Sequence, residues 1–161
     1  IMIHIVLVEP QIPQNTGNIG RLCVATNAML HLIKPLGFST SQKELKRAGL
    51  DYWQHLSVKE WENLEDFWES HPITNTKEQV QKHFFFSTKA QKLYYEASFG
   101  KECYLYFGRE DAGIDERILT QNINVTYKLP MSKIARSINL ATCVGAVLYE
   151  ALRQNGLYEK F

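Results

Sequence analysis

Leu129 to Asn155, LPMSKIARSINLATCVGAVLYEALRQN, is the stretch whose reading decides the fold. Its first part, Leu129 to Ser137, is a loop carrying Pro130, Met131, Ser132, Arg136 and Ser137. From Ile138 the period changes to that of a helix. Leu140, Cys143, Val144, Val147, Leu148, Ala151 and Leu152 fall on one face, which the pattern assigns to a core. Ser137 is placed to cap the start, and Asn155-Gly156 reads as the stop. The small residues Ala141, Gly145 and Ala146 let another backbone come close. A polar loop running into a buried helix presents fixed backbone N–H groups at the helix start.

Outward from this stretch, the same alternation of strand and helix repeats. Ile3 to Val8 is a near-continuous apolar run, as expected of a strand buried on both faces. The following segment, QIPQNTGNIGRLCVATNAML, is helical, with Ile19, Leu22, Cys23 and Thr26 on one face and Asn15 or Thr16 as cap. Gly17 and Gly20 each cost roughly 1 kcal/mol there relative to Ala, so a close approach is expected at them. Asn15, Asn18 and Arg21 gather near its exposed mouth. Leu30 to Ile33 is a second strand. Ser41 to Ala48 opens on a capping box and carries Lys43, Lys46 and Arg47. A short strand is expected within Leu50 to Val58. A second box, Ser57 to Glu60, predicts a helix over Glu60 to Glu69, with Trp61, Leu64, Phe67 and Trp68 packed inward. His83 to Phe86, Glu102 to Phe107 and Val125 to Leu129 are further strands, and Asp115 caps a helix reaching Thr120. The connection holding Tyr94 and Tyr95 has no assignable structure. The expected class is α/β, a mostly parallel sheet flanked by helices, with residues 1–161 forming one domain.

Composition narrows the function. A chain of 161 residues with 45% hydrophobic content supports a full core, and a net charge of +1 leaves no global field for nucleic acid. Any such partner would need a local patch or a second subunit. Cys23, Cys103 and Cys143 are far apart, without metal or disulfide spacing, and read as reduced thiols of a cytoplasmic protein. No run is long enough to span a membrane, and the start lacks the features of a signal peptide. Neither GxGxxG nor GxxxxGK[ST] is present, and HExxH and CxxC are missing, so no metal is expected. In parallel sheets ligands sit at the carboxyl ends of strands. Three such ends carry loop chemistry: Phe86 to Lys89, Gly108 to Gly113 and Pro130 to Ser137. If they converge, they make one pocket, suited to a neutral purine held by main-chain groups or to a polyanion gripped by arginine.

Asn15-Thr-Gly-Asn-Ile-Gly-Arg21, Leu105-Tyr-Phe-Gly-Arg-Glu110 with Gly113, and Leu129-Pro-Met131 with Arg136-Ser-Ile-Asn139 and Leu140-Ala141 resemble, in order, the three motifs of the SpoU branch of the SPOUT RNA methyltransferases. The resemblance covers essentially the whole chain. The start IVLVEPQIPQNTGNIGRLC and the lack of an added RNA-binding domain look most like the branch acting on the wobble cytidine or uridine of bacterial tRNA. The resemblance implies a C-terminal deep trefoil knot that holds S-adenosylmethionine, with no metal. It also implies a homodimer whose sites lie near the interface, the helices around Arg21 and Gly145 packing across it. It implies cofactor contacts from Phe86, Ser87, Thr88, Gly108, Glu110, Leu129, Met131, Ser137 and Asn139, and a catalytic group of Arg21, Asn15 and Glu110. The implied reaction is 2′-O-methylation of a tRNA ribose, the wobble nucleotide of tRNA(Leu) being the expected target. The alternatives are another tRNA or rRNA position, a non-catalytic RNA-binding relative, and a nucleoside enzyme without an RNA partner.

Overall fold

The computed structural model describes residues 2–41, 43, 45, 51–74 and 81–156. Seven strands form one sheet in the order β3-β2-β1-β6-β4-β7-β5. They are β1 (Met2–Val8), β2 (Met29–Ile33), β3 (Val58–Trp61), β4 (His83–Phe86), β5 (Lys92–Leu93), β6 (Glu102–Phe107) and β7 (Thr126–Lys128). Every pairing between them is parallel. The helices are α1 (Pro13–Thr26), α2 (Leu64–Ser70), α3 (Glu116–Gln121) and α4 (Leu140–Gln154). No helix among the described residues is long and apolar enough to cross a membrane. The knot expected of the C-terminal part is consistent with this order, in which β7 lies between β4 and the earlier strand β5.

The apolar runs produce this sheet because alternate residues go to opposite faces, and both faces are covered. Ile3, Ile5, Leu7, Phe84, Phe86, Leu105 and Phe107 pack with Ile19 and Cys23 of α1 and with Val144, Val147, Leu148, Ala151 and Leu152 of α4. On the other face Val6, Val8, Phe85 and Tyr106 pack with Leu64 and Phe67 of α2 and with Leu119 of α3. Fully burying one such side chain is worth roughly 1.5–3 kcal/mol. That outweighs the helix cost of the α1 glycines. Gly20 is needed for space as well: a Cβ there would lie 3.1 Å from Leu56 and 3.3 Å from the Trp53 ring. Gly145 faces Leu22 of the same chain, 3.5 Å from where its Cβ would be, so α1 and α4 pack against each other within one subunit.

Several boundaries differ from the sequence reading. The capping box at Ser57 does not open a helix. Residues 58–61 extend as β3, and α2 starts later, where the Asn63 side chain accepts from the Asp66 N–H at 2.8 Å. Trp61, Leu64 and Phe67 are nonetheless buried, as expected of packing residues. Neither Asn15 nor Thr16 caps α1; Ile12 holds the cap position, followed by Pro13, whose missing N–H costs nothing at a helix start. The cap of α4 is Asn139, not Ser137. The unassigned connection holds β5 and a 3-10 turn over Tyr94–Glu96. The helix expected over 41–48, with Lys46 and Arg47, lies mostly outside the described residues.

Under α2 lies a pile of rings that the sequence does not announce. His31 is 0% exposed. Trp61 Nε1, which can only donate, gives its proton to His31 Nδ1 at 3.0 Å. The His31 proton therefore sits on Nε2 and points at His4 Nδ1, 2.8 Å away. Trp68 donates to the Tyr106 hydroxyl, leaving that proton for His83 Nδ1 at 2.7 Å. Burial, with lesser repulsion from neighbouring histidines, lowers His31 to about 3; burial also lowers His4 and His83 to about 4. All three stay neutral in the fold, whereas the unfolded chain takes up their protons below about 6.5. Stability is therefore complete above pH 6.5 and is lost as pH falls from there toward 4. The loss is up to about 1.4 kcal/mol per pH unit for each ring. Urea titrations from pH 7.5 down to pH 5 check this. The midpoint is expected to drop steeply below pH 6.5, and a flat profile over that range would refute the assigned neutral state.

Candidate active site

The aligned registers Leu7↔Phe107, Phe86↔Phe107 and Phe86↔Tyr127 bring the ends of β1, β6, β4 and β7 to one edge of the sheet. The chain leaves each end in a turn, and these turns enclose a cleft of about 490 Å³. That volume lies in the range of roughly 300–1,000 Å³ seen for nucleoside-sized ligands. Phe86, Ser87 and Thr88 line it from β4, Gly108 and Glu110 from β6, and Leu129, Met131, Ser137 and Asn139 from β7 and the loop beyond. The three turns singled out in the sequence thus converge. Phe86, Phe107, Leu129, Leu140 and Cys143 supply apolar wall, and Ser87, Thr88 and Ser137 supply hydroxyls beside it. An adenosyl group matches such a lining: a flat apolar face with a few hydrogen-bonding groups at its edge.

The turn after β6 has its shape because of two glycines. A Cβ on Gly108 would lie 2.1 Å from the Gly113 carbonyl carbon and 2.3 Å from the Ile114 nitrogen. Backbone occupies that space and cannot yield. Gly113 closes the turn at φ 72°, the left-handed region glycine enters freely, and its N–H donates to the Arg109 carbonyl at 2.8 Å. Between them Glu110 is aimed toward the start of α1.

Glu110 joins the three motifs. One carboxylate oxygen accepts from the Gln11 N–H at 2.9 Å. The other accepts from the Ile12 N–H at 3.1 Å and, more weakly, from Asn15 Nδ2 at 3.4 Å. Asn15 Oδ1 in turn accepts from Asn139 Nδ2 at 3.0 Å, and Asn139 Oδ1 accepts from the Thr142 N–H at 3.2 Å. One polar chain therefore runs from the β6 turn through the start of α1 to the start of α4. A carboxylate beside free helix N–H groups is favoured by their partial positive charge. Both Glu110 oxygens accept N–H bonds, which suits a positioning role. Among the described residues no group of histidine, cysteine and carboxylate side chains is arranged to hold a metal ion.

Arg21 lies elsewhere. It is exposed, with its guanidinium 4.9 Å from the centre of the Tyr52 ring, and it does not line the cleft. Six residues of helix place it about 9 Å along the axis from Asn15. Asn15 and Glu110 meet at the cleft; Arg21 does not join them within one chain. Asn18 is exposed as expected. The sequence reading missed the backbone donors of Gln11 and Ile12, which no side-chain pattern marks, and the cleft positions of Lys128 and Cys143. Lys128, as the last residue of a strand that ends at the site, carried a usable signal.

Comparison with known proteins places this geometry. The chain is 42% identical over 156 residues to the tRNA (cytidine(34)-2'-O)-methyltransferase of Yersinia pestis, covering 96% of this chain and 95% of that one. It superposes with TM-score 0.85 and 42% identity on a structure described as giving insights into the 2-OH methylation of C/U34 on tRNA, over 96% of this chain and 97% of the other. At 22% identity and TM-score 0.76 the fold extends to AviRb of Streptomyces viridochromogenes, solved with its cofactor AdoMet, over 94% of this chain and 57% of that one. A profile of the SpoU rRNA Methylase family matches residues 2–149. With a match of that extent and relatives at this identity over nearly the full length, the chain belongs to the SpoU methylase family of RNA methyltransferases.

Proposed function

We propose that this protein transfers a methyl group from S-adenosylmethionine to the 2′-oxygen of a tRNA ribose, at the wobble cytidine or uridine. The observation that carries the reading is the convergence of the three turns on one cleft of nucleoside size, tied together through Glu110. Likeness to relatives named for cytidine 34 and C/U34 supports the position. Within that reading tRNA(Leu) is the substrate to test first. A cytoplasmic location goes with such a substrate.

When bound, S-adenosylmethionine supplies a methyl on a sulfonium, already a good leaving group. The chain supplies alignment and charge. Phe86, Leu129 and Met131 bound the apolar part of the cleft; Ser87, Thr88 and Ser137 offer hydroxyls, and the Gly108 turn offers backbone groups. Asn15, Glu110 and Asn139 hold α1 and α4 at fixed positions around it. Holding two reactants in register is worth several kcal/mol of barrier. Arg21 is the catalytic cation. A guanidinium keeps its proton, so it acts by stabilising the forming alkoxide rather than as a base, and the 2′-hydroxyl proton leaves to solvent as the O–CH3 bond forms and the methyl–sulfur bond breaks.

Because Arg21 lies outside the cleft of its own chain, the reading calls for a homodimer in which Arg21 of one copy serves the cleft of the other. Mixing Arg21→Ala with a cleft-blocked Thr88→Trp variant, each inactive alone, is then expected to restore activity by forming mixed dimers. A mixture that stays inactive after subunit exchange argues for Arg21 serving its own cleft.

Incubation of a tRNA mixture with labelled S-adenosylmethionine, followed by nucleoside mapping, reports activity, base and position together. Label on a 2′-oxygen at the wobble position is expected; label elsewhere overturns the position, and none with any RNA overturns the activity. Arg21→Ala is expected to abolish transfer while leaving cofactor affinity by calorimetry within a few-fold. Equal loss of both would place Arg21 in cofactor binding. Glu110→Gln puts an amide donor against N–H donors. We expect it to lose roughly 1–3 kcal/mol of stability, read by chemical denaturation. Wild-type stability in that variant would show that the carboxylate does not tie α1 down.

A further inference from the structure

We propose that Arg136, with Lys128 beside the same cleft, is the grip for a phosphodiester of the RNA next to the ribose that receives the methyl group. The inference rests on the methyltransferase reading above and assigns a substrate contact within it.

The charge balance of the cleft points to an anion. Its two lining carboxylates are already occupied: Glu110 by N–H donors, Asp111 by the Arg109 guanidinium at 3.0 and 3.1 Å. Of the lining cations, Arg109 is used by Asp111, and Lys89 pairs with Glu116. Lys128 and Arg136 also line the cleft, and among the described residues neither side chain has a hydrogen-bond or ion-pair partner. Two uncompensated positive charges stand where a cleft opens to solvent. A methyl donor bearing a sulfonium, an ammonium and a carboxylate carries net positive charge and gains nothing overall from them. An RNA backbone does.

The local fold also suits Arg136 for this contact. The Ala135 N–H donates to the Ser132 carbonyl at 3.2 Å, closing a turn just before it. Three residues later Asn139 caps α4 and bonds Asn15. The loop is pinned on both sides, while the Arg136 side chain is exposed. Ile134, on the same turn, is 93% exposed. A guanidinium fork matches two phosphate oxygens, which an ammonium cannot do.

The test compares wild type, Arg136→Gln and Arg136→Lys. Binding of unmodified tRNA is measured between about 50 and 200 mM salt, and binding of S-adenosylmethionine by calorimetry. Arg136→Gln is expected to weaken tRNA binding roughly ten-fold at the lower salt. It should also reduce the slope of log affinity against log salt by about one. Arg136→Lys should keep the slope and recover part of the affinity. Cofactor affinity should stay within about two-fold in both, well short of the loss of a charge-assisted bond. A fall in cofactor affinity with tRNA binding unchanged would overturn the proposal, because Arg136 would then hold the donor's carboxylate. No change in either would overturn it too, leaving Arg136 a bystander. Wild-type protein that binds neither cofactor nor tRNA would remove the methyltransferase reading itself, a result distinct from both.

Discussion

The Glu110 carboxylate has to sit where the N–H groups of Gln11 and Ile12 and the Asn15 amide converge. These donors belong to the start of α1, while Glu110 belongs to the turn after β6. Their meeting fixes the angle at which α1 leaves β1. Asn15 passes the constraint to Asn139, and Asn139 passes it to the first turn of α4. Removing any member strands a polar group in a half-buried setting, at a cost of roughly 1–3 kcal/mol. The cleft walls are therefore positioned by a network that need not touch a substrate. Gly108 is the covalent condition for it, since any side chain there would strike the backbone of Gly113 and Ile114.

The two sides of the sheet divide the labour. The face with α1 and α4 carries the cleft at its edge and the polar chain that shapes it. The face with α2 carries only packing, yet it buries His4, His31 and His83 in one hydrogen-bonded aromatic stack. Those rings give the fold its sensitivity to acid without entering the chemistry. Lys128 and Arg136 line the cleft with no side-chain ion-pair partner among the described residues, so a chain of net charge +1 still carries local positive charge there.

Much of this was legible in the residues. Runs such as His83–Phe86 and Glu102–Phe107 end where the strands end, because a strand buried on both faces is mostly apolar and the polar turn residues that follow mark its limit. The turn residues that follow them were legible for the same reason. Short or ambiguous elements were not. β5 has two residues, too few for any period. Ser57 to Glu60 has the letters of a capping box, but pairing with β2 claims those residues for β3, and Asn63 caps instead. Ser137 was expected as the cap of α4, but the helix starts two residues later, where the Asn139 side chain accepts from the Thr142 N–H. The histidine stack joins residues from separate strands, and the placement of Arg21 away from the cleft depends on helix phase and on Tyr52. Neither is written in local spacing.

A crystal structure with S-adenosylhomocysteine bound tests the central claim most directly, because the account stands on one cleft formed by three turns. The adenosine is expected between Phe86–Thr88, Gly108–Glu110 and Leu129–Ser137, with the Glu110–Asn15–Asn139 chain unbroken. A nucleoside bound elsewhere on the sheet, or a complex in which Glu110 leaves the start of α1 to reach the ligand, would contradict it.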